Sequence, residues 1–322
     1  MKRSTFFWIG GIFLFMLFGC VGLFVLVSMM GSMTIGGSSI SEFEPVEGDA
    51  VALIRIEGTI LPGEGGTPNP FNPTVGAFSQ SIIDHLQRAN EDEQVKAIVL
   101  VVDTPGGSVY ASDEIALQVD AMDKPVVAAM GSMAASGGYY VSAVADEIWA
   151  SPHTLTCSIG VIVQFLNYSE LAQEYGVKSV VFKSGEYKDT GNAFRDITEE
   201  EAVIWQSLID EAYDAFVAIV AEGRGLSEGT VREVADGRIC TGKQAQEMQL
   251  VDEMGYLPDA IKRAGELGGI DGDDPPVKEY FDEPSLFDVF TTMMNRPSPV
   301  SEVRQLIEYR PGATLMYFYS GW

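Results

Sequence analysis

Apolar, β-branched runs alternate along this chain with segments in which apolar residues recur every three or four positions. The runs at 96–103 and 125–130 are apolar almost throughout, as in strands buried on both faces of a sheet. Strands that alternate with helices predict an α/β fold with largely parallel pairing. The predicted strands are 51–60, 96–103, 125–130, 147–150, 160–164 and 178–183, and the predicted helices in this region are 76–91, 108–122 and 138–144.

A long helix is predicted after residue 196. Thr198, followed three positions later by Glu201, forms a capping box at its start, and Gly223 and Gly225 mark its end. We expect one face to pack on the domain and the opposite face to be solvated. The apolar face comprises Ile204, Leu208, Ala212, Phe216 and Ile219, and the solvated face comprises Asp210, Glu211 and Asp214.

The N-terminus has the pattern of a membrane anchor. Lys2 and Arg3 precede an uncharged apolar run over 6–30, which is long enough to span a bilayer. The letters LFGC, ending at Cys20, resemble a lipoprotein signal, but the apolar residues continue well beyond them, so we expect an uncleaved anchor. The positive-inside rule then predicts a single-pass protein of the cytoplasmic membrane, with its N-terminus inside and the rest of the chain outside.

These patterns divide the chain into four parts. A cytoplasmic tip and anchor (1–30) are followed by a polar linker (31–49), one α/β domain (50–270) and a C-terminal extension (271–322). The extension is rich in Pro and Asp and ends in aromatic residues. No internal repeat is evident, so the α/β unit occurs once.

Composition and motifs argue against several classes of partner and cofactor. A formal net charge of -26 argues against nucleic acid as a partner, because its phosphates would be repelled. No phosphate-binding loop or cluster of metal ligands is evident, so we expect no nucleotide and no metal cofactor. The chain has 2 histidines and 3 cysteines. Two of the cysteines, Cys157 and Cys240, follow the anchor and could form one bridge, although nothing in their spacing requires it.

Glycines and small residues stand at the ends of predicted strands, where the chemistry of α/β sheets gathers. Ser136 precedes Gly137 at a predicted helix start, so it is either a helix N-cap or a nucleophile. In the second case the N–H groups of Gly137 and of the Gly106–Gly107 turn would form an oxyanion hole. Tight packing of helix on sheet explains the small residues equally well. The three stretches are DTPGGSV (103–109), GSMAASGGYY (131–140) and HTLTCSIGV (153–161).

A nucleophilic serine also needs a base. His85 is expected on a solvated helix surface, and His153 lies in a loop near the strand ends. A lysine can serve if burial lowers its pKa from about 10.4 toward neutrality. The candidate lysines are Lys124, Lys178, Lys183 and Lys188, and the residues alone leave Lys183 and Lys188 both open.

Taken together, these motifs resemble the signal peptide peptidase A family of membrane-anchored serine peptidases, in its short form. The resemblance covers roughly 50–270 and includes VALIRIEGTI, DTPGG, MGSMAASGGYY, SIGV, KSGEYKD and the helix after ITEEE. It implies that Ser136 is the nucleophile, Lys188 the general base and Ser158 the residue that orients this lysine. It also implies oxyanion donors at Gly137 and in the Gly106–Gly107 turn, and a Clp protease/crotonase-like fold of repeated β-β-α units.

One position departs from the family pattern, because Cys157 stands where a glycine usually precedes SIGV. If that position needs a positive φ, a cysteine is strained there. Cys157 is either a small buried residue or a reactive thiol near the site. Met133, Ile159 and Val161 are expected to line a pocket for small or apolar substrate residues, the alternative being that they belong to the core.

The resemblance further implies substrates and partners. The substrates would be released signal peptides and other apolar peptides at the membrane. The protein would be a homo-oligomer, an octameric ring in which neighbouring subunits complete the sites. Two alternatives are an acyl-CoA hydratase or isomerase on the same fold and a catalytically inactive membrane scaffold. The anchor and the set Ser136, Ser158 and Lys188 speak against the hydratase or isomerase. Every expected catalytic residue is present, so nothing in the sequence supports the inactive scaffold.

Overall fold

The computed structural model describes residues 48–65, 76–282 and 316–318. The predicted anchor, nearly all of the predicted linker and most of the C-terminal extension lie outside these residues. No helix in the described ranges is long and apolar enough to cross a membrane.

Strands and helices alternate as predicted. In chain order the strands are β1 (Ala50–Glu57), β2 (Ile60–Leu61), β3 (Ala77–Phe78), β4 (Val95–Thr104), β5 (Gly106–Ser108), β6 (Val126–Ala134), β7 (Glu147–Ala150), β8 (Leu155–Cys157), β9 (Ile239–Thr241), β10 (Glu253–Met254), β11 (Val277–Tyr280) and β12 (Met316–Phe318). The helices are α1 (Ser79–Glu91), α2 (Val109–Asp120), α3 (Gly137–Ser142), α4 (Ser169–Glu174), α5 (Glu199–Arg224), α6 (Glu228–Val234), α7 (Gly242–Glu247) and α8 (Leu257–Leu267), and Glu186–Asp189 forms a 3-10 helix.

The main sheet is parallel, in the order β10-β7-β6-β4-β1-β11. Side chains of its central strand β4 alternate between two cores. Leu100 and its neighbours on one face pack with α1, α2 and α5, whereas Val99 and its neighbours on the other pack with α8. Burial on both faces explains why β4 is an almost uninterrupted apolar run. Because β11 pairs with β1, this sheet extends past the predicted boundary at residue 270.

Shorter strands cluster at the carboxyl end of the main sheet. The turn strand β5 follows β4 directly and belongs to a second sheet of order β12-β5-β2-β3. Strand β8 pairs with the end of β6 through Leu155 and Met133, and runs antiparallel to β9. The three stretches singled out in the sequence therefore come together at one end of the sheet, as ligand and catalytic sites of such sheets do.

The long helix α5 begins and ends as predicted. Thr198 and Glu201 form the capping box, and Gly225 closes the helix in the left-handed conformation, with φ 62°. Burial of the predicted apolar face, however, starts only at Ala212. The residues nearer the N-terminus, Ile204 and Leu208, are exposed.

Two predicted strands are wrong. In 160–164 only Ile162 makes an isolated bridge, with Met316, and 178–183 forms no strand. The second segment lies on the surface, with Val180 74% and Phe182 95% exposed. A β-branched sequence becomes a strand only beside a hydrogen-bonding neighbour, and the described part of this chain supplies none here.

Candidate active site

Ser136 has an unusual backbone. It stands between β6 and α3 with φ 53° and ψ -114°, and its side chain makes no capping hydrogen bond. Only 1% of the residue is exposed. The N-cap interpretation therefore fails on geometry, since the hydroxyl is not used to cap α3. A residue with a side chain pays a conformational cost at a positive φ of this kind. Such a conformation is kept where function requires a sharp turn, as at the nucleophile of a strand-turn-helix elbow.

The glycines flanking this turn face the glycine turn after β4. A Cβ added to Gly106 would lie 2.7 Å from the nitrogen of Gly137, and a Cβ added to Gly137 would lie 3.2 Å from the nitrogen of Gly107. Gly137 begins α3, so its N–H has no acceptor within the helix. The N–H of Gly106 donates to Thr104 Oγ1 at 3.0 Å. Gly107 and Gly137 thus lie beside each other, as the oxyanion-hole hypothesis requires.

Close packing accounts for other small residues in the stretch. A Cβ on Gly138 would lie 2.6 Å from Thr104 Cγ2, and one on Gly137 would lie 2.5 Å from Ser112 Oγ. Close packing therefore applies at Gly138 and also at Gly137, which lies beside the glycine turn as well.

The C-terminal strand β12 lies against the same glycine turn. It pairs antiparallel with β5, with Tyr317 opposite Gly107. A Cβ on Gly106 would overlap the carbonyl oxygen of Tyr317. The Tyr317 ring is buried, with its centroid 4.8 Å from that of Tyr140 and 4.6 Å from that of Phe216. An extended chain thus fits beside this turn in the antiparallel manner by which peptides add to a sheet edge.

Ser158 lies one strand away and is tied to Ser136 through Cys157. The amide of Ser136 donates to the carbonyl oxygen of Cys157 at 2.8 Å. Cys157 has φ 64° and Ser158 has φ 54°, so the cysteine does occupy a position that favours glycine. Cys157 is buried, as one of the two alternatives held, and it is not a reactive thiol, because it forms a disulfide with Cys240.

Ser158 also lines a cavity of about 500 Å³ between the 158–162 segment, α5 and the turn after α6. Val161 lines the same cavity, together with Tyr213, Asp210 and Asp236. Ile159 is fully buried in the core, which is the alternative weighed for it. Met133 is half-buried, and its amide donates to Asp103 Oδ1 at 3.0 Å.

The two open lysines differ in what they bind. Lys183 Nζ donates to Asp189 Oδ1 at 2.7 Å and to the carbonyl oxygen of Glu186 at 2.7 Å, so it braces the 3-10 helix. Lys188 lies on that helix and is exposed. Its ammonium makes no ion pair or hydrogen bond with the residues that the structure describes. Lys178 is exposed and unbound in the same way, and the described chain brings neither of these two lysines into hydrogen-bond contact with Ser136.

Arg195 holds this 3-10 helix to the start of α5. Its guanidinium donates to Asp189 Oδ1 at 2.9 Å and to Glu201 Oε2 at 2.8 Å. These hydrogen bonds, from Arg195 first, lower the pKa of Asp189 below its usual range and that of Glu201 to about 2. Both carboxylates are thereby kept ionised, and the segment before α5 is fixed.

Neither histidine is placed as a base for Ser136. His85 is buried, contrary to the solvated position expected for it, and its Nε2 lies 3.0 Å from Asp282 Oδ1. His153 is exposed in the loop before β8. Among the other predicted lysines, Lys124 donates to the carbonyl oxygens of Ala89 and Asp92, at the opposite end of β6 from Ser136.

Two buried residues beside the glycine turns, Thr104 and Ser112, were not predicted as site residues from the sequence. Thr104 is buried. Its Oγ1 accepts a hydrogen bond from the amide of Gly106 in the turn and donates one to the carbonyl oxygen of Gly58. Ser112 Oγ is buried beside Gly137 without a hydrogen-bond partner in the described ranges. Thr104 directly follows the predicted strand and was within reach of the motif analysis. The position of Ser112 depends on the packing of α2 and carries no local signal.

Several proteins whose sequences resemble this chain are peptidases. The sequence model described as peptidase family S49 matches 119–271, and that of Clp protease matches 72–156. A putative signal peptide peptidase SppA of Enterococcus faecium is 44% identical over 185 residues, which is 56% of this chain and 54% of that protein. The chain thus spans about half the length of this relative.

Other relatives extend the match. A putative protease of Methanocaldococcus jannaschii is 35% identical over 265 residues, covering 80% of this chain and 83% of that protein. Protease 4 of Haemophilus influenzae is 36% identical over 220 residues, which cover 67% of this chain and 34% of that protein. Among solved structures, a ClpP1 mutant of Listeria monocytogenes superposes with a TM-score of 0.43 at 16% identity, over 65% of this chain and 94% of that one. The sequence match to Clp protease is confined to 72–156.

Proposed function

Because the chain belongs to peptidase family S49, we propose that it is a serine endopeptidase in which Ser136 and Lys188 form the catalytic dyad. The observation that carries the proposal is the conformation of Ser136, a non-glycine residue at φ 53° that caps nothing and directly precedes Gly137, which lies beside the Gly106–Gly107 turn. Backbone of this kind is retained where a reacting side chain must be presented.

The steps of the reaction follow from the proposed roles of these residues. Neutral Lys188 accepts the proton of Ser136 as Oγ attacks the peptide carbonyl. The N–H groups of Gly107 and Gly137 stabilise the oxyanion, and Lys188 then protonates the leaving amine. Water hydrolyses the resulting acyl-enzyme. Ser158 orients the lysine, and the cavity it lines gives the lysine side chain room to enter.

The lysine is supplied by a neighbouring subunit of a homo-oligomeric ring. Two observations support this step. Lys188 is exposed on its own chain, and the segment that carries it displays large apolar side chains such as Tyr175, Val180 and Phe182. Exposed apolar surface of this kind is expected at contacts between proteins. A ring of eight subunits rests on the family resemblance alone.

The substrates are released signal peptides and other apolar peptides, and the site lies outside the cytoplasmic membrane behind an N-terminal anchor. The name of the Enterococcus faecium relative supports this substrate class. The disulfide Cys157–Cys240 supports the compartment, since such bonds persist in oxidising surroundings.

The test is peptide hydrolysis by the full-length protein in detergent micelles across pH 6 to about 10. Ser136→Ala and Lys188→Ala should each abolish turnover, whereas His153→Ala should not. Activity of the intact protein should rise with pH, because the lysine base must be unprotonated. Turnover by Lys188→Ala together with loss in His153→Ala would refute the dyad. An intact protein that cleaves no peptide would favour the inactive scaffold.

A further inference from the structure

The disulfide lies directly beside the candidate catalytic residues. Cys157 ends β8 and Cys240 lies in β9, and their Cα atoms are 5.5 Å apart. Both cysteines are buried. Cys157 is followed at once by Ser158, and its carbonyl oxygen accepts the amide of Ser136. The bridge therefore touches both candidate serines through the backbone.

The backbone at this point is not one that its residues prefer. Cys157 has φ 64° and Ser158 has φ 54°, so two consecutive residues with side chains occupy the left-handed region. Such conformations persist only where the surrounding structure holds them. A glycine at 157 would adopt the same φ without steric conflict.

Hydrogen bonds, core packing and the covalent bridge all hold this backbone. Ser158 N donates to the carbonyl oxygen of Arg238 at 2.8 Å, and Thr156 Oγ1 donates to the carbonyl oxygen of Ala134 at 2.7 Å. Strand β8 pairs with β9 over only three residue pairs, Leu155 with Thr241, Thr156 with Cys240 and Cys157 with Ile239. So short a ladder is marginal by itself.

We propose that the bridge Cys157–Cys240 positions Ser158 and Ser136 for catalysis, so that turnover depends on its oxidation state. This inference rests on the proposed dyad. A dithiol reductant would break the S–S bond by exchange, leaving thiols on Cys157 and Cys240 while the reductant becomes the disulfide. The left-handed pair at 157–158 would then relax, carrying the carbonyl oxygen away from the amide of Ser136.

The test separates the covalent bridge from the backbone conformation it maintains. All proteins are full-length and carry Cys20→Ser, so that no third thiol takes part in exchange. One variant, Cys157→Ser with Cys240→Ser, lacks the bridge and keeps a side chain at 157. Its matched partner, Cys157→Gly with Cys240→Ser, lacks the bridge but has a residue suited to positive φ. kcat, KM and the pH profile of kcat are measured below the unfolding midpoint of each protein.

We expect the serine variant to lose about tenfold or more in kcat with little change in KM, and the glycine variant to stay within about threefold of the parent. A dithiol should lower kcat of the parent and leave the glycine variant unaffected. Equal kcat in parent and serine variant, or equal losses in the two variants, would overturn the inference. Ser136→Ala and Lys188→Ala, assayed beside them, distinguish this failure from failure of the dyad, because only the latter leaves one of these two variants active.

Discussion

The backbone amide of Ser136 donates a 2.8 Å hydrogen bond to the carbonyl oxygen of Cys157. Both residues lie at positive φ. The turn that presents the candidate nucleophile and the strand that ends beside Ser158 therefore hold each other in conformations that neither would keep alone. A change at either residue is expected to disturb the other.

Mixing two inactive variants should restore activity. If Lys188 serves the Ser136 of a neighbouring subunit, rings assembled by co-expression of Ser136→Ala and Lys188→Ala contain some sites with both residues intact. Random assembly at equal amounts gives about a quarter of the parental site number. The measurement is peptide hydrolysis by doubly tagged, co-purified rings. A dyad formed within one chain predicts no activity from the mixture, and each variant expressed alone is the control.

Arg195 should prove to be a positioning residue for Lys188. It ties Asp189, the residue after Lys188, to Glu201 at the start of α5. We expect Arg195→Ala to lower kcat about tenfold or more, and Arg195→Lys to restore only part of it, because lysine cannot bind two carboxylates in a planar fork.

The matched control for this prediction is Arg263→Ala. Arg263 also binds two carboxylates, those of Glu147 and Glu266, but it lies on α8. It should leave kcat unchanged. Parental kcat in Arg195→Ala would contradict the positioning role.

Stability should fall in acid because of the same ion pairs. Hydrogen bonds from Arg195 and then from the backbone of Thr198 lower the pKa of Glu201 to about 2, below the value of about 4.3 for an unfolded glutamate. A carboxyl group whose pKa is lower in the folded than in the unfolded protein stabilises the fold fully at pH values above its unfolded-state pKa. This stabilisation is lost as the pH falls through the folded-state pKa. The unfolding midpoint should therefore drop between about pH 4.3 and about pH 2, and less steeply in Glu201→Gln. Parallel pH profiles for the two proteins would show that Glu201 is not responsible.

Tyr317 should matter for stability more than its place near the C-terminus suggests. Its ring is fully buried against Tyr140 and Phe216, and its hydroxyl donates to the carbonyl oxygen of Ala212 at 2.8 Å. We expect Tyr317→Ala to lower the free energy of unfolding by about 3–5 kcal/mol, and Tyr317→Phe by about 1 kcal/mol. Denaturant unfolding of the full-length protein measures both. Similar values for the two variants would mean that the ring contacts contribute little.

The sequence alone determined the features that depend on near neighbours along the chain. The apolar runs of β4 and β6 predicted buried parallel strands, because a strand covered on both faces needs no polar alternation. Thr198 and Glu201 predicted the start of α5, since a capping box closes within a single turn. The glycines beside Ser136 marked it as either a helix N-cap or a nucleophile, and the observed turn excludes the N-cap.

Only the tertiary structure decided what depends on residues far apart in the chain. The pattern at 178–183 is that of a strand, yet strand pairing requires a partner, and the described chain places none beside it. The spacing of Cys157 and Cys240 allowed a bridge without requiring it, because only the pairing of β8 with β9 brings their Cα atoms to 5.5 Å. The sequence left Lys183 and Lys188 both open as the base. Only the fold shows that Asp189 binds Lys183 while no residue in the described ranges binds Lys188, because the partner of a charge is set by its surroundings in space.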